Sequence, residues 1–197
     1  MGKSSVGGYL RRQGIPVIDA DKIARAIVKK GYPAYRLIVA HFGQSVCFKD
    51  GRINRCDLGK LVFKSTKERT FLESVTHPRI SAIIFNRVRK LSSQNTIIAI
   101  EAPLLFETNL YQRVDEAWLV WTRDSIAIKR ITQRDGRSTT EIKAVLKAQL
   151  KTASKMKMAH RVFDNNGSRE SLYKKIDQAL RDLRLNYRLP PLKNTPQ

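Results

Sequence analysis

Gly2-Lys3-Ser4, directly after Met1, matches the tail of the pattern G-x-x-x-x-G-K-[ST]. In such a loop backbone amides cradle phosphates, the lysine reaches the β/γ-phosphates and the hydroxyl serves Mg²⁺. A tripeptide this short is also what a basic chain end supplies by chance. The next residues narrow the choice. Ser5 to Gly14 can form a helix that closes on Gly14, although Gly7 and Gly8 weaken it. Ile15-Pro16-Val17-Ile18 then reads as a short buried strand ending in Asp19-Ala20-Asp21. That order puts two carboxylates near the crevice where open α/β sheets bind ligands. Taken without the upstream loop, Asp19 and Asp21 read first as the acidic start of a helix, where they complement its dipole.

Further strand-like segments near 96–101, 116–121 and 161–164 alternate with longer helical stretches, the pattern of a parallel sheet with crossover helices. Residues 33–95 carry helix signals and no convincing strand, with one helix expected from Ser65-Thr66 and another after His77-Pro78. Arg130 and Arg134 stand at i and i+4 on a helix predicted to end at Gly136, so they share a face. Ser138 and Glu141 form a capping-box pattern that starts a second helix. This helix-turn-helix, about 123–150, reads either as an exposed basic pair or as a mobile lid closing on phosphate. The expected organisation is one domain over 1–185, with a basic tail over 186–197.

The 38 Lys+Arg against 17 Asp+Glu give a formal net charge of +21, a field that attracts nucleic acid and small polyanions alike. No recognised DNA- or RNA-binding motif accompanies it. Spread-out residues such as Lys147, Lys151, Lys155, Lys157, Lys174 and Lys175 are expected on solvated surface. Cys47 and Cys56 lack zinc-type spacing and are expected as buried or partly buried reduced thiols. No apolar run has membrane length and no signal peptide is visible, which points to a cytoplasmic protein without a membrane partner.

Several motifs in one order resemble dephospho-coenzyme A kinases. They are Gly2-Lys3-Ser4, Gly14 to Asp21, Gly51-Arg52-Ile53-Asn54-Arg55, Leu72-Glu73, His77-Pro78, Ala102 to Glu107, Arg134-Asp135-Gly136, Gln149 and Asp164-Asn165-Asn166-Gly167. The resemblance covers nearly the whole chain. It implies an α/β, P-loop kinase-like parallel sheet with flanking helices, a helical substrate region over about 33–95 and a helical lid over about 123–150. It also implies that the first strand is missing, because about a dozen residues with a strand and the loop's glycines would precede Gly2 in the family's pattern. ATP as co-substrate, Mg²⁺ and dephospho-CoA follow from the same likeness, and nucleic acid becomes the lesser expectation.

The family likeness also assigns roles. Asp21 is the base for the ribose 3′-hydroxyl, with Lys3 and Arg134 as the other catalytic residues. Gly2, Lys3, Ser4, Ser5, Arg130, Arg134 and Asn165 would bind ATP. Asp19, Arg55, His77 and Arg79 would bind dephospho-CoA, and Ser4, Asp19 and Glu101 would serve the metal. Leu104, Leu105 and Phe106 are expected to pack, with Glu107 open to either role. The chain departs from the pattern at Ala127, where glutamine is frequent, and at His160, where aspartate is usual. Two other readings remain at this point: another nucleotide or small-molecule kinase, and an inactive remnant or basic nucleic-acid binder.

Overall fold

The computed structural model describes residues 2–136 and 138–190. Its chain divides into two compact units. One combines the segment up to Val17 with everything from Asn95 onward; the other is Ile18–Gln94.

In the first unit, α1 (Lys3–Arg12) buries Val6 and Leu10 one turn apart. That burial offsets the cost of Gly7 and Gly8, about 1 kcal/mol each in a helix interior. Gly14, at φ 76°, reverses the chain, and Ile15 N–H returns to the Leu10 carbonyl at 3.0 Å. With that donor engaged and Pro16 having none, β1 begins late, as Val17–Asp19. Ala99 N–H donates to the Pro16 carbonyl at 2.9 Å, where β2 (Ala99–Glu101) starts. β3 (Trp118–Trp121) runs parallel to β4 (Arg161–Asp164), with Trp118 opposite Arg161 and Trp121 opposite Asp164. Among the described residues the strands form two pairs, β1 with β2 and β3 with β4.

The core of this unit gathers Val6, Leu10, Ile15, Val120 and Phe163 against Leu172, Ile176, Ala179 and Leu180. The last four form one stripe of α9 (Arg169–Asn186), a helix capped by Ser168, whose hydroxyl accepts from Ser171 N–H. Between β3 and β4 lie α6 (Asp124–Asp135), α7 (Thr139–Ala148) and α8 (Thr152–Met158). Gly136 ends α6 in the left-handed conformation, and the Ser138–Glu141 capping box starts α7. This part of the chain folds as its local signals dictate.

In the second unit, Asp19 caps α2 (Ala20–Ile27) by accepting from Lys22 N–H at 2.9 Å. Pro33 opens α3 (Pro33–Phe42), and Asn54 caps α4 (Arg55–Lys64). Ser65 caps α5, which runs unbroken over Thr66–Ser92 and so corrects the expected new helix at His77-Pro78. Pro78 removes one N–H from the ladder and crowds the preceding turn. Thr76 Oγ1 donates to the Leu72 carbonyl at 2.8 Å and Arg79 Nη1 to the Val75 carbonyl at 2.6 Å, adding bonds on either side of the Ser74 carbonyl that Pro78 cannot serve. Val75 and Ile84 are buried on either side of the proline, and that packing carries the helix through it.

Three smaller expectations are corrected. Cys56 is exposed in the first turn of α4, while Cys47 is half-buried. Leu104 is 42% exposed, and of its apolar run only Phe106 is fully buried. Lys155 is buried, not solvated, and pairs with Glu107 at 2.6 Å. Residues 191–197 of the expected basic tail lie outside the described residues. Among the described residues no helix is long and apolar enough to cross a membrane.

Candidate active site

The N-terminus of α1 organises the first cluster. Amides in the first turn of a helix have no carbonyl partner within it, and the helix dipole adds positive potential there. Lys3, Ser4 and Ser5 form this turn, which contains no acidic side chain. Gly2 precedes it at φ 105°, and a Cβ at that position would collide with Asn165 Nδ2. Two independent constraints therefore demand glycine here.

Ser4 Oγ donates to Glu101 Oε1 at 2.6 Å. Glu101 ends β2, and its carboxylate lies along the α1 face shared by Ser4, Gly7 and Arg11, with Arg11 Nη2 4.0 Å from Oε2. Gly7 makes room for it: a Cβ there would stand 2.6 Å from Glu101 Oε2. A hydroxyl and a carboxylate oxygen beside a phosphate-type helix terminus are donors that suit a small hard cation. No group of three or more His, Cys, Asp or Glu suited to a metal occurs among the described residues. An ion bound at Ser4 and Glu101 would draw the rest of its shell from phosphate and water.

The turn after β4 meets the same region. Asn165 is 7% exposed, its N–H donates to the Trp121 carbonyl at 2.9 Å, and its side chain packs against Gly2. Arg130 of α6 reaches this turn, donating from Nη1 to the Asn165 carbonyl at 2.8 Å and from Nη2 to that of Gly167 at 3.4 Å. Asn166 Oδ1 accepts from Thr122 Oγ1 at 2.9 Å and from Arg123 N–H at 2.8 Å. The leading end of the α6–α7 hairpin is thus fastened to the turn that touches Gly2. Arg134 stands one turn beyond Arg130, its backbone in α6 and its side chain outside the described set.

An ion-pair network braces β4 from behind. Arg161 Nε meets Glu116 Oε2 at 2.8 Å, and Arg161 Nη1 meets Asp182 Oδ2 at 3.0 Å. Burial pushes the Glu116 carboxyl up. Hydrogen bonds from Arg161 and Trp118, with the charge of Arg161, outweigh that and hold it below the ordinary 4.5. His160 Nδ1 accepts from Ala117 N–H at 2.9 Å, giving the residue that departs from the family pattern a structural bond at the start of β4.

The remaining residues predicted for the site belong to the second unit. Asp19 is spent partly on capping, while Asp21 is exposed in the first turn of α2. Arg55 is exposed at the start of α4. His77 and Arg79 are half-buried in α5, and Arg79 is already bonded to a backbone carbonyl. Within the first unit the structure brings together Gly2, Ser4, Glu101, Asn165 and Arg130. In the second unit Asp19 ends β1 and caps α2, Asp21 lies in α2, Arg55 in α4, and His77 and Arg79 in α5.

The family model for dephospho-CoA kinase matches residues 1–171. The chain belongs to the dephospho-CoA kinase family. It is 37% identical to the dephospho-CoA kinase of Shouchella clausii over 180 residues, covering 91% of each chain. It is 39% identical to that of Carboxydothermus hydrogenoformans, over 89% of this chain and 85% of the relative. Among solved structures, the Campylobacter jejuni dephospho-CoA kinase superposes with a TM-score of 0.68 at 29% identity, covering 92% of this chain and 91% of that one. TT1252 from Thermus thermophilus superposes with a TM-score of 0.79 at 29% identity, covering 92% of each chain. The fold is therefore the α/β P-loop kinase fold of the family, and membership makes the chain a phosphotransferase with ATP as co-substrate.

Three contributors escaped the sequence reading. Gly7 reads as a helix weakener, and only its spacing of three from Ser4 hints that a partner lies on that face. Asn166 was overshadowed by Asn165 in an ordinary turn signal. Lys155, in the run Lys-Met-Lys, is indistinguishable by pattern from surface charge.

Proposed function

We propose that this chain transfers the γ-phosphoryl group of ATP to the ribose 3′-hydroxyl of dephospho-CoA, yielding coenzyme A and ADP in the cytoplasm. The observation that carries this reading is the 2.6 Å bond between Ser4 Oγ and Glu101 Oε1 at the N-terminus of α1, next to Gly2-Lys3. Charge stabilisation and positioning dominate phosphoryl transfer. Gly2, Ser4 and Ser5 bind phosphate oxygens through backbone amides, and Lys3 neutralises charge on the β/γ-phosphates. Ser4 and Glu101 would hold Mg²⁺, with Asp19 supporting its water shell, and the ion would supply charge neutralisation at the phosphates.

Asp21 accepts the 3′-hydroxyl proton as that oxygen bonds the γ-phosphorus, while the bond to the β–γ bridging oxygen breaks and ADP departs. Arg130 and Arg134 stabilise the transferring group from the hairpin, and Asn165 borders the nucleotide beside Gly2. Arg55, His77 and Arg79, with Asp19, hold dephospho-CoA. The test is Asp21→Asn, assayed for ADP release that depends on dephospho-CoA. Turnover should fall by about 10²-fold or more, within the range of general-base contributions, with ATP affinity nearly unchanged. Near-normal turnover would remove Asp21 from the role; absence of dephospho-CoA-dependent ADP release in the unmutated protein would reject the function.

A further inference from the structure

The α6–α7 hairpin has two feet, and each is fastened by a small set of side chains. The leading foot is held by Asn166, which accepts from Thr122 and Arg123, and by Arg130, which donates to the Asn165 and Gly167 carbonyls. At the trailing foot, just past α7, Leu150 N–H donates to Glu107 Oε1 at 3.2 Å, and Lys155 Nζ reaches the same oxygen at 2.6 Å. Lys155 Nζ also donates to Gln149 Oε1 at 3.1 Å. Side-chain exposure is 9% for Lys155 and 17% for Glu107. Glu107 Oε2 is buried without a hydrogen-bond partner.

A bracket of this kind is chemically specific. Glu107 lies six residues after Glu101, in the segment leaving β2, so it ties the trailing foot to the strand that supplies the carboxylate at Ser4. One carboxylate oxygen takes both a backbone N–H and an ammonium, while the ammonium also takes a side-chain amide. Gln149 and Leu150 are therefore fixed together at the point where α7 ends and α8 has yet to begin. Burying these charges is costly, and a well-packed apolar pair of similar volume would hold a core equally well. What an apolar pair cannot do is accept the Leu150 N–H and set the direction in which the chain leaves α7.

We propose that Glu107 and Lys155 are positioning residues for phosphoryl transfer: they fix the trailing foot of the hairpin so that its arginine-bearing helix α6 meets the phosphates in one orientation. Neither touches substrate. The inference rests on the reading of the hairpin as a phosphate-closing element. It predicts that the bracket acts on turnover and not on the binding of dephospho-CoA.

The experiment compares Glu107→Gln, Lys155→Met and the double variant Glu107→Leu/Lys155→Met in the full chain, each corrected for its folded fraction by circular dichroism. Either single variant strands a buried charge or polar group and can lose stability. The double variant removes both charges and keeps the core apolar, yet leaves Leu150 N–H without its acceptor. The expected result is a folded double variant with kcat lowered about tenfold or more and KM for dephospho-CoA within about twofold of the parent.

Recovery of parental kcat in the double variant would overturn the inference, since the pair would then serve stability alone. So would a loss that appears only as a raised KM, or failure of all three variants to fold. An Arg130→Ala variant run beside them separates the two levels of argument. If it loses turnover while the bracket variants keep theirs, only the positioning role falls; if it keeps turnover, the hairpin reading falls and takes this inference with it.

Discussion

Gly7 is the residue whose two descriptions differ most. In the sequence it is one of a pair of glycines that weaken a helix; in the structure it is the space occupied by the Glu101 carboxylate. Gly7→Ala brings two opposed effects. Helix propensity gains about 1 kcal/mol, while the new Cβ, 2.6 Å from Glu101 Oε2, forces that carboxylate to move. The carboxylate is the far end of a rotatable side chain, so displacement costs less than backbone strain, and the net stability change should stay within about 1 kcal/mol. Turnover should nevertheless fall about tenfold or more, because Glu101 leaves Ser4. Denaturant unfolding and steady-state kinetics on one preparation check both halves, and unchanged turnover would show that the Ser4–Glu101 bond is dispensable. At this scale, legibility followed chemistry that is local in sequence. Gly2, Ser4 and Glu101 were readable because their types and order carry meaning, whereas Lys155 was not, because burial of a lysine depends on a carboxylate 48 positions away.

Helix termini were the best-read elements. Ser138–Glu141, Gly136 and Ser65 act within three or four residues of themselves, and no tertiary contact overrides them. Helix interiors were read less well: Pro78 signals a start, but α5 passes through it because burial on both sides of the proline outweighs the lost bond. The packing of α1 on α9 was likewise invisible in sequence, and it carries a pH signature. Tyr9 stacks on Tyr173 with ring centroids 4.1 Å apart, and its hydroxyl donates to Asp177 Oδ1 at 2.6 Å. Burial, and then the bond and charge of Asp177, push the Tyr9 phenol from 10.0 up to about 12. A raised phenol contributes stability that is fully present below the unfolded value, near pH 10, and is lost as pH rises through about 12. Tyr9→Phe should therefore unfold more readily than the parent at neutral pH, with the difference shrinking across that alkaline window. Denaturation midpoints measured on both proteins at several pH values decide it; a constant difference would place the stabilising contact elsewhere.

For the whole molecule, the formal net charge of +21 is the property that composition announces and the fold does not absorb. Charges on the surface act over a Debye length of about 10 Å at 0.1 M salt and are screened beyond it, whereas groups held at a helix terminus act at contact. Raising ionic strength should therefore abolish any binding to generic DNA or RNA while ATP with Mg²⁺ still raises the melting temperature. Fluorescence anisotropy with a labelled oligonucleotide and thermal shifts with nucleotide, run over the same salt series, make the comparison. Salt-resistant binding to nucleic acid, without any shift from nucleotide, would favour the basic-binder reading over the kinase.

The turn that fastens the leading foot of the hairpin also sets a clock. Asn166 precedes Gly167, and an asparagine before glycine is open to attack by the following backbone nitrogen on its side-chain carbon, which releases ammonia and forms a succinimide that water opens to aspartate or isoaspartate. The reaction requires the side chain to swing toward the backbone. Here Thr122 Oγ1 and Arg123 N–H both hold Asn166 Oδ1 in place. The folded protein should consequently keep Asn166 intact through an incubation that converts most of an unfolded peptide of the same sequence, and Thr122→Val should shorten that lifetime. Peptide mapping by mass spectrometry after timed storage reads the difference directly; equal decay in protein and peptide would mean that the two bonds offer no protection. Where they do, the fastening of the hairpin's leading foot ages at a rate governed by how often the turn opens.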